Sequence, residues 1–240
     1  MLNQLEKTFP ISPSHCDSSA RLGIPNSFAL FMDIATEHAD ILGIGLKHLS
    51  PQHRFWLTVK SKAHFYRRPS LSEVITLSTW PEHPDSRKCN RDYTIRSGDE
   101  LLIDGKTEWA VIDTSTGRLI HVDTIYPEGL VLLDDIVFEE PFSKFTMDLS
   151  DARPIGNIQV RSTDIDLGGH MNNVAYINAF ASLFSSDQWN SMDIHEMEVW
   201  YRSQCYENEV LSVVEKKVDD ATEVYYIKVD QSIAFELRYL

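Results

Sequence analysis

Apolar residues recur along this chain with two periods, and the switches between them mark out its elements. Between residues 26 and 42, Phe28, Phe31, Ala35, Ala39 and Leu42 fall at helical spacing, while Leu30, Ile34 and Ile41 fill a second face. A helix that is apolar on most sides is buried on most sides. Asn26 or Ser27 is expected to cap its start, and Gly43 and Gly45 to end it. The next segment has period two. Phe55, Leu57, Val59, Ala63 and Phe65 alternate with Trp56, Thr58, Lys60, Lys62 and His64, with one break at Ser61. Further strands are expected near 74–80, 91–96 and 107–113, with turns at 97–99 and 115–117.

The second half repeats this order. Ile158 to Val160 starts a strand, and a mostly apolar helix is expected over 173–185. Strands follow near 196–202, 210–218, 222–229 and 232–239. The two halves share short stretches: Phe65-Tyr66-Arg67 pairs with Trp200-Tyr201-Arg202, and Leu22-Gly23 with Leu167-Gly168. In the same order around the same pattern, these matches argue for internal duplication. Two units result, 1–128 and 155–240, joined by a connecting segment over 129–154. That segment carries the acidic runs Asp134-Asp135 and Glu139-Glu140 and is expected to pack on the surface. One buried helix followed by four antiparallel strands suggests a sheet wrapped around a helix. Two of these give an α+β architecture with two antiparallel sheets.

Length and charge narrow the function. The chain has 240 residues and a formal charge of −14. That charge excludes a general nucleic-acid or anionic-membrane binder, because phosphate recognition needs a positive surface. The three cysteines are too sparse for a disulfide framework or a C-x-x-C metal site. The N-terminal residues lack a leader's apolar core, and no stretch approaches the ~20 apolar residues of a membrane span. A soluble protein of a reducing cytoplasm is therefore expected. Apart from His170, the histidines fall at no metal-ligand spacing, and neither a metal nor an organic cofactor is expected. Cys16 and Cys89 read as inert, and Glu196 and Glu198 as a solvated strand face.

The densest polar cluster is Arg161-Ser-Thr-Asp164-Ile-Asp166-Leu-Gly168-Gly169-His170-Met-Asn172-Asn173, between an expected strand and an expected helix start. Gly168 and Gly169 let the backbone approach a ligand closely. The first amides of the helix are unpaired donors at the positive end of its dipole, suited to a carbonyl oxygen that gains charge. Asp166 can act as base or nucleophile, and His170 can orient it or move protons. The same residue types also serve as ordinary caps and turns.

The stretch from Asp164 to Tyr176 resembles the signature of hotdog-fold thioesterases, and specifically the fatty acyl-ACP thioesterases, whose pattern reads D-L-D-x-N-x-H-V-N-N-x-x-Y. Tyr201-Arg202-Ser203-Gln204-Cys205 is similar to the family's Y-R-x-E-C segment, and 107–119 to the stretch that ends its first unit. The resemblance runs from about Arg21 to Tyr239. It implies a double hotdog and hydrolysis of fatty acyl-ACP thioesters, with acyl carrier protein as partner. Acyl-CoA hydrolysis and non-catalytic acyl binding remain as alternatives, and a homodimer remains open. Asp166 matches the family's Asp, His170 its His, and Cys205 a Cys that has been assigned as a nucleophile. Gly168 stands where plant members have Asn, and Gln204 where they have Glu. The set left is Asp166, His170 and the helix amides at Asn172 and Asn173, with Gln204 helping to hold the geometry. In the first unit Pro25 falls opposite His170, and no catalytic set is expected there. Instead the resemblance gives that unit the acyl chain, with Phe28, Phe31, Phe55, Trp56, Phe65 and Tyr66 as tunnel lining or simply core. Lys60, Lys62, Arg67 and Arg68, with Arg87, Lys88, Arg91 and Arg96, are either a docking patch for an acidic carrier or a scattered solvated surface.

Overall fold

The computed structural model describes residues 3–138, 140–146 and 148–240, so Glu139 of the second acidic run lies outside the described residues. The chain divides into two compact units, one ending at Pro141 and the other beginning at Phe142.

In the first unit the apolar helix is α1 (Ile24–Ile41). It starts two residues before the expected position, because Pro25 sits in its first turn, where no amide donor is needed, and Gly23 is the cap. Asn26 and Ser27 bond instead to the carbonyls of Ser14 and Gly23. The short helix α2 (Leu46–Leu49) follows. The strands are β1 (Leu5–Pro10), β2 (Arg54–Phe65), β3 (Val74–Pro81), β4 (Cys89–Ser97), β5 (Glu100–Asp113) and β6 (Arg118–Leu119). The main sheet runs β1-β3-β4-β5-β2, all antiparallel, with β6 beside β5. Pairing of β2 with β5 slips between Thr58 and Lys60, so the break lies at Val59 and not at Ser61. α1 packs on this sheet: Phe31 stacks on Tyr93 at 4.5 Å and fills the space beside Gly105.

The second unit has the same order of elements. It contains β7 (Arg153–Gln159), α3 (Asn173–Ala181), α4 (Ser186–Ser191), β8 (Glu196–Tyr201), β9 (Val210–Val218), β10 (Ala221–Ile227) and β11 (Ile233–Tyr239). Its antiparallel sheet runs β7-β9-β10-β11-β8, strand for strand the order of the first. Each unit therefore has five main strands. In the first the pattern suggested four, and the extra one is the sheet edge β1, whose mostly exposed side chains show no alternation; in the second the edge strand β7 begins at Arg153, ahead of the start expected at Ile158. The expected helix over 173–185 is two helices. Ser185 forms a capping box with Gln188 that starts α4, and Phe184 stacks on Trp189 instead of extending α3. Tyr176 of α3 stacks on Phe235 at 4.9 Å, and its carbonyl accepts the Tyr226 hydroxyl.

The connecting stretch packs by parts, each part on the unit to which it belongs. Phe138 is buried in the first unit, where Trp80 donates to the Asp135 carbonyl and Lys106 to that of Phe138. Phe145 is buried in the second against Trp200 and Tyr225. This covering corrects the expectation for Glu198. That side chain is buried and accepts from the Ser143 amide. Glu223 and Glu236 on neighbouring strands are buried as well.

Candidate active site

β7 leads into a tight turn at Ser162–Asp164, and Asn172 opens α3. Between them the chain folds back on itself. Ile165 bridges Met171, the Asp166 amide donates to the His170 carbonyl at 3.0 Å, and the Gly169 amide donates to the Asp166 carbonyl at 3.0 Å. Gly169 has φ +76°, the left-handed conformation that lets so short a turn close without a Cβ clash. Two further bonds anchor the turn: Asn172 N–H to the Asp164 carbonyl and Met171 N–H to the Cys205 carbonyl, both 2.7 Å.

Within this frame the Asp166 carboxylate accepts the Gly168 amide on Oδ1 at 2.7 Å. The imidazole of His170 lies beside it, its Nδ1 3.9 Å from the same oxygen and 3.3 Å from the Met171 carbonyl. The Met171 carbonyl can only accept, so Nδ1 carries the proton in this contact and Nε2 is the open nitrogen. Both side chains are partly exposed. Gly168 lies beneath them: a Cβ built there would stand 2.8 Å from His170 Nε2 and 3.1 Å from Asp166 Oδ1.

The two asparagines separate in role. The Asn172 amide is committed to Asp164, and its side chain caps α3 by accepting from Val174 N–H at 2.7 Å. The Asn173 amide donates to no described residue, which leaves it as the unengaged donor at the helix start. Gln204 is exposed, and its carbonyl oxygen accepts the Tyr206 hydroxyl at 2.8 Å; no hydrogen bond joins it to Asp166 or His170. Cys205 is buried, with Sγ 4.0 Å from the Ser203 carbonyl, and burial pushes its thiol above the usual range.

The first unit contains the same turn, with residues other than Pro25 in the matching places. Cys16 bridges Leu22 as Ile165 bridges Met171. The Asp17 amide donates to the Arg21 carbonyl, Ala20 to Asp17, Gly23 to His15 and Leu22 to Pro69. Each of these bonds has its counterpart in the second unit, and Ala20, at φ +57°, stands for Gly169. Asp17 is thus the counterpart of Asp166, Ser19 of Gly168, Arg21 of His170 and Arg68 of Gln204. Pro25 has no part in it. The spacing from Asp17 to Leu22, repeated from Asp166 to Met171, was the sequence signal. Asp17 is closed off by an ion pair with Arg68 and by the Ser19 hydroxyl at 2.5 Å. Burial alone would raise its carboxyl, but the hydrogen bonds from Ser19 and Arg68 and the Arg68 charge outweigh it and hold the carboxyl below the usual range.

Most of the basic residues are engaged within the fold. Arg67 bridges Glu73 and Glu100, Arg68 bridges Asp17, and Lys60 and Lys88 share Glu108. Lys62 is buried with its ammonium over Phe138. Arg91 is 5% exposed and donates to His38 and Thr79, while Arg96 donates to the Asp99 carbonyl. Among the aromatics, Phe28, Phe31 and Phe65 are core, and Phe55 and Trp56 are half-buried. Tyr66 is exposed and bonded to Asp104.

The acyl-ACP thioesterase N-terminal domain matches residues 3–128, and the acyl-ACP thioesterase C-terminal domain matches residues 148–235. The chain is 24% identical over 213 residues to an oleoyl-acyl carrier protein thioesterase of Coriandrum sativum, covering 81% of this chain and 58% of that one. It is 24% identical over 198 residues to an acyl-[acyl-carrier-protein] hydrolase of Cuphea viscosissima, covering 77% and 48%. The chain thus spans about half the length of these plant relatives. Among solved structures, an acyl-ACP thioesterase from Bacteroides thetaiotaomicron superposes with a TM-score of 0.87 at 19% identity, covering 99% of this chain and 97% of that one. The 12:0-ACP thioesterase from Umbellularia californica superposes at 0.78 and 16% identity, covering 98% and 96%. The fold is therefore the double hotdog.

Proposed function

Because the chain belongs to the acyl-ACP thioesterase family, we propose that it hydrolyses the thioester of fatty acyl-ACP, releasing free fatty acid and so ending chain elongation. What most supports the second unit as its catalytic centre is the pairing of Asp166 and His170 in a turn that runs directly into α3. Asp166 Oδ1 is held by the Gly168 amide, so Oδ2 is the oxygen available to a water molecule. Asp166 takes a proton from that water, and the hydroxide adds to the thioester carbonyl carbon. The oxygen that gains charge faces the Asn173 amide and the positive end of α3. As the carbonyl re-forms, the carbon–sulfur bond breaks. The proton on Asp166 passes to the departing thiolate, and the His170 imidazole beside the carboxylate holds its orientation. The first unit, with Asp17 locked to Arg68, holds the acyl chain and takes no part in the chemistry.

Among the described residues no helix is long and apolar enough to cross a membrane. Action in the cytoplasm is part of the proposal. Its test is thiol release from a series of acyl-ACP substrates and the matching acyl-CoAs, with wild type and Asp166→Asn. Asp166→Asn is expected to lower kcat by ~10²–10⁴-fold, the usual share of a positioned base, with the same unfolding midpoint. Equal kcat/KM on acyl-CoA would overturn the choice of carrier. No release from either substrate would leave an acyl-binding protein.

A further inference from the structure

The occurrence of one turn twice in this chain isolates what a single position does. Ser19 and Gly168 are counterparts, each donating its amide to the carboxylate two residues earlier, at 2.9 Å and 2.7 Å. In the first unit Ser19 also sends its hydroxyl to that carboxylate. The residue at the fifth position of the turn, Arg21, is exposed and makes no ion pair with Asp17. In the second unit the counterpart of Ser19, Gly168, has no side chain, and the place is taken by the His170 ring. A Cβ at residue 168 would meet His170 Nε2 at 2.8 Å, closer than real Cβ contacts come.

We infer that Gly168 is a positioning residue: by lacking a side chain it makes the room in which His170 reaches Asp166. The backbone itself does not require glycine there, since Gly168 is not among the residues with positive φ, whereas Gly169 is. Asp166 is held by the Gly168 amide, so any side chain at 168 displaces the mobile partner, the tip of the imidazole. The position where the resemblance set an Asn is thus occupied in space by the ring of His170, not left vacant.

This inference rests on the catalytic roles proposed for Asp166 and His170, and its test separates the two. Gly168→Ala, Gly168→Ser, His170→Ala and the double variant Gly168→Ala/His170→Ala are assayed for kcat and KM across pH, alongside Asp166→Asn. Gly168→Ser has a precedent in the folded turn of the first unit, so it reports even where Gly168→Ala fails to fold. Each Gly168 variant is expected to lose at least about 10-fold in kcat, with KM nearly unchanged and the pH profile of His170→Ala. The double variant is expected to be no slower than His170→Ala, since a residue that acts only through another adds nothing once that one is gone. A crystal structure of either variant is expected to show the ring swung off Asp166. If Gly168→Ser keeps wild-type kcat while His170→Ala loses it, the inference falls and the site reading stands. If Asp166→Asn and His170→Ala both keep full activity, the site reading falls, and the ring position in the variant structure alone decides the role of Gly168.

Discussion

Asp166 and Asp17 sit in matching turns, and their different neighbours decide which can work as a base. Asp17 is paired with a guanidinium that never gives up its charge, which holds its carboxyl below the usual range and makes it the weaker base. Asp166 has an amide on one oxygen and an imidazole 3.9 Å away, and the residue in the place of Arg68 is the uncharged Gln204. Cys205 can be placed at the same scale. A thiolate is the nucleophilic form, and this thiol is buried beside Tyr176, pushed up first by that burial and further by the neighbouring Glu209 carboxylate. Cys205→Ala is expected to keep most of its turnover and to cost about 1–2 kcal/mol of stability, as removal of a small buried group does. Steady-state kinetics with urea unfolding checks both parts. An acyl adduct on Cys205 trapped by mass spectrometry would return the nucleophile role to it.

The short helix α3 depends on its first turn in a way that the long helix α1 does not. α1 runs for 18 residues, carries a proline in its first turn and lacks a side-chain cap; α3 runs for nine and follows the Asn172 cap. In so short a helix each unsatisfied amide weighs more, and the Asn172 cap also fixes where the Asn173 amide points. Asn172→Ala is expected to destabilise the protein by about 1 kcal/mol, and Asn172→Asp, which keeps the acceptor, by much less. Urea midpoints of the two variants measure this. Equal losses would mean that the cap contributes nothing beyond packing.

At the scale of the whole molecule, several charged side chains are buried, Asp92, Lys106, Glu198, Glu223 and Glu236 among them. Asp92 is fully buried, accepts the Val137 amide, and lies 3.9 Å from Lys106, which also pairs with Glu82. Burial, and then the Glu82 carboxylate, push the Asp92 carboxyl up to about 8. The unfolded value is about 4, so folding takes up a proton between these limits. Its contribution to stability is therefore complete below about pH 4 and is lost as pH rises toward about 8. The wild-type protein is expected to lose stability over that window more steeply than Asp92→Asn, as read from urea midpoints at several pH values. Parallel curves would refute it. A carrier-docking patch, by contrast, has little left to form from. Of the residues considered for it, Arg87 is exposed and makes no ion pair among the described residues. Arg87→Glu is expected to change kcat/KM on acyl-ACP less than two-fold at physiological salt, where an exposed charge is screened within about 8 Å.

The order of apolar and polar residues alone determined the α+β class, the repeat of one helix-and-sheet unit, and most strand positions, because period and burial are local properties of a pleat or a helix. It also determined that Asp166 and His170 lie just ahead of a helix. The edge strand β1 and the first residues of β7 escaped it, since an edge can pair through its backbone with its side chains in water. So did the true match between the halves. Tyr66-Arg67 and Tyr201-Arg202 look alike, but the backbone bonds equate Tyr66 with Arg202, since Tyr66 N–H bonds the Leu102 carbonyl as Arg202 N–H bonds that of Ala234. Aligning Leu22-Gly23 with Leu167-Gly168 hid Asp17 for the same reason: hydrogen-bond register belongs to the folded chain, whereas letters can match at any offset. Only the tertiary structure buried Glu198 and Arg91, engaged Asn172 but not Asn173, and put the His170 ring over Gly168. Each of these depends on what a distant segment, or a side chain folded back through space, brings to the residue.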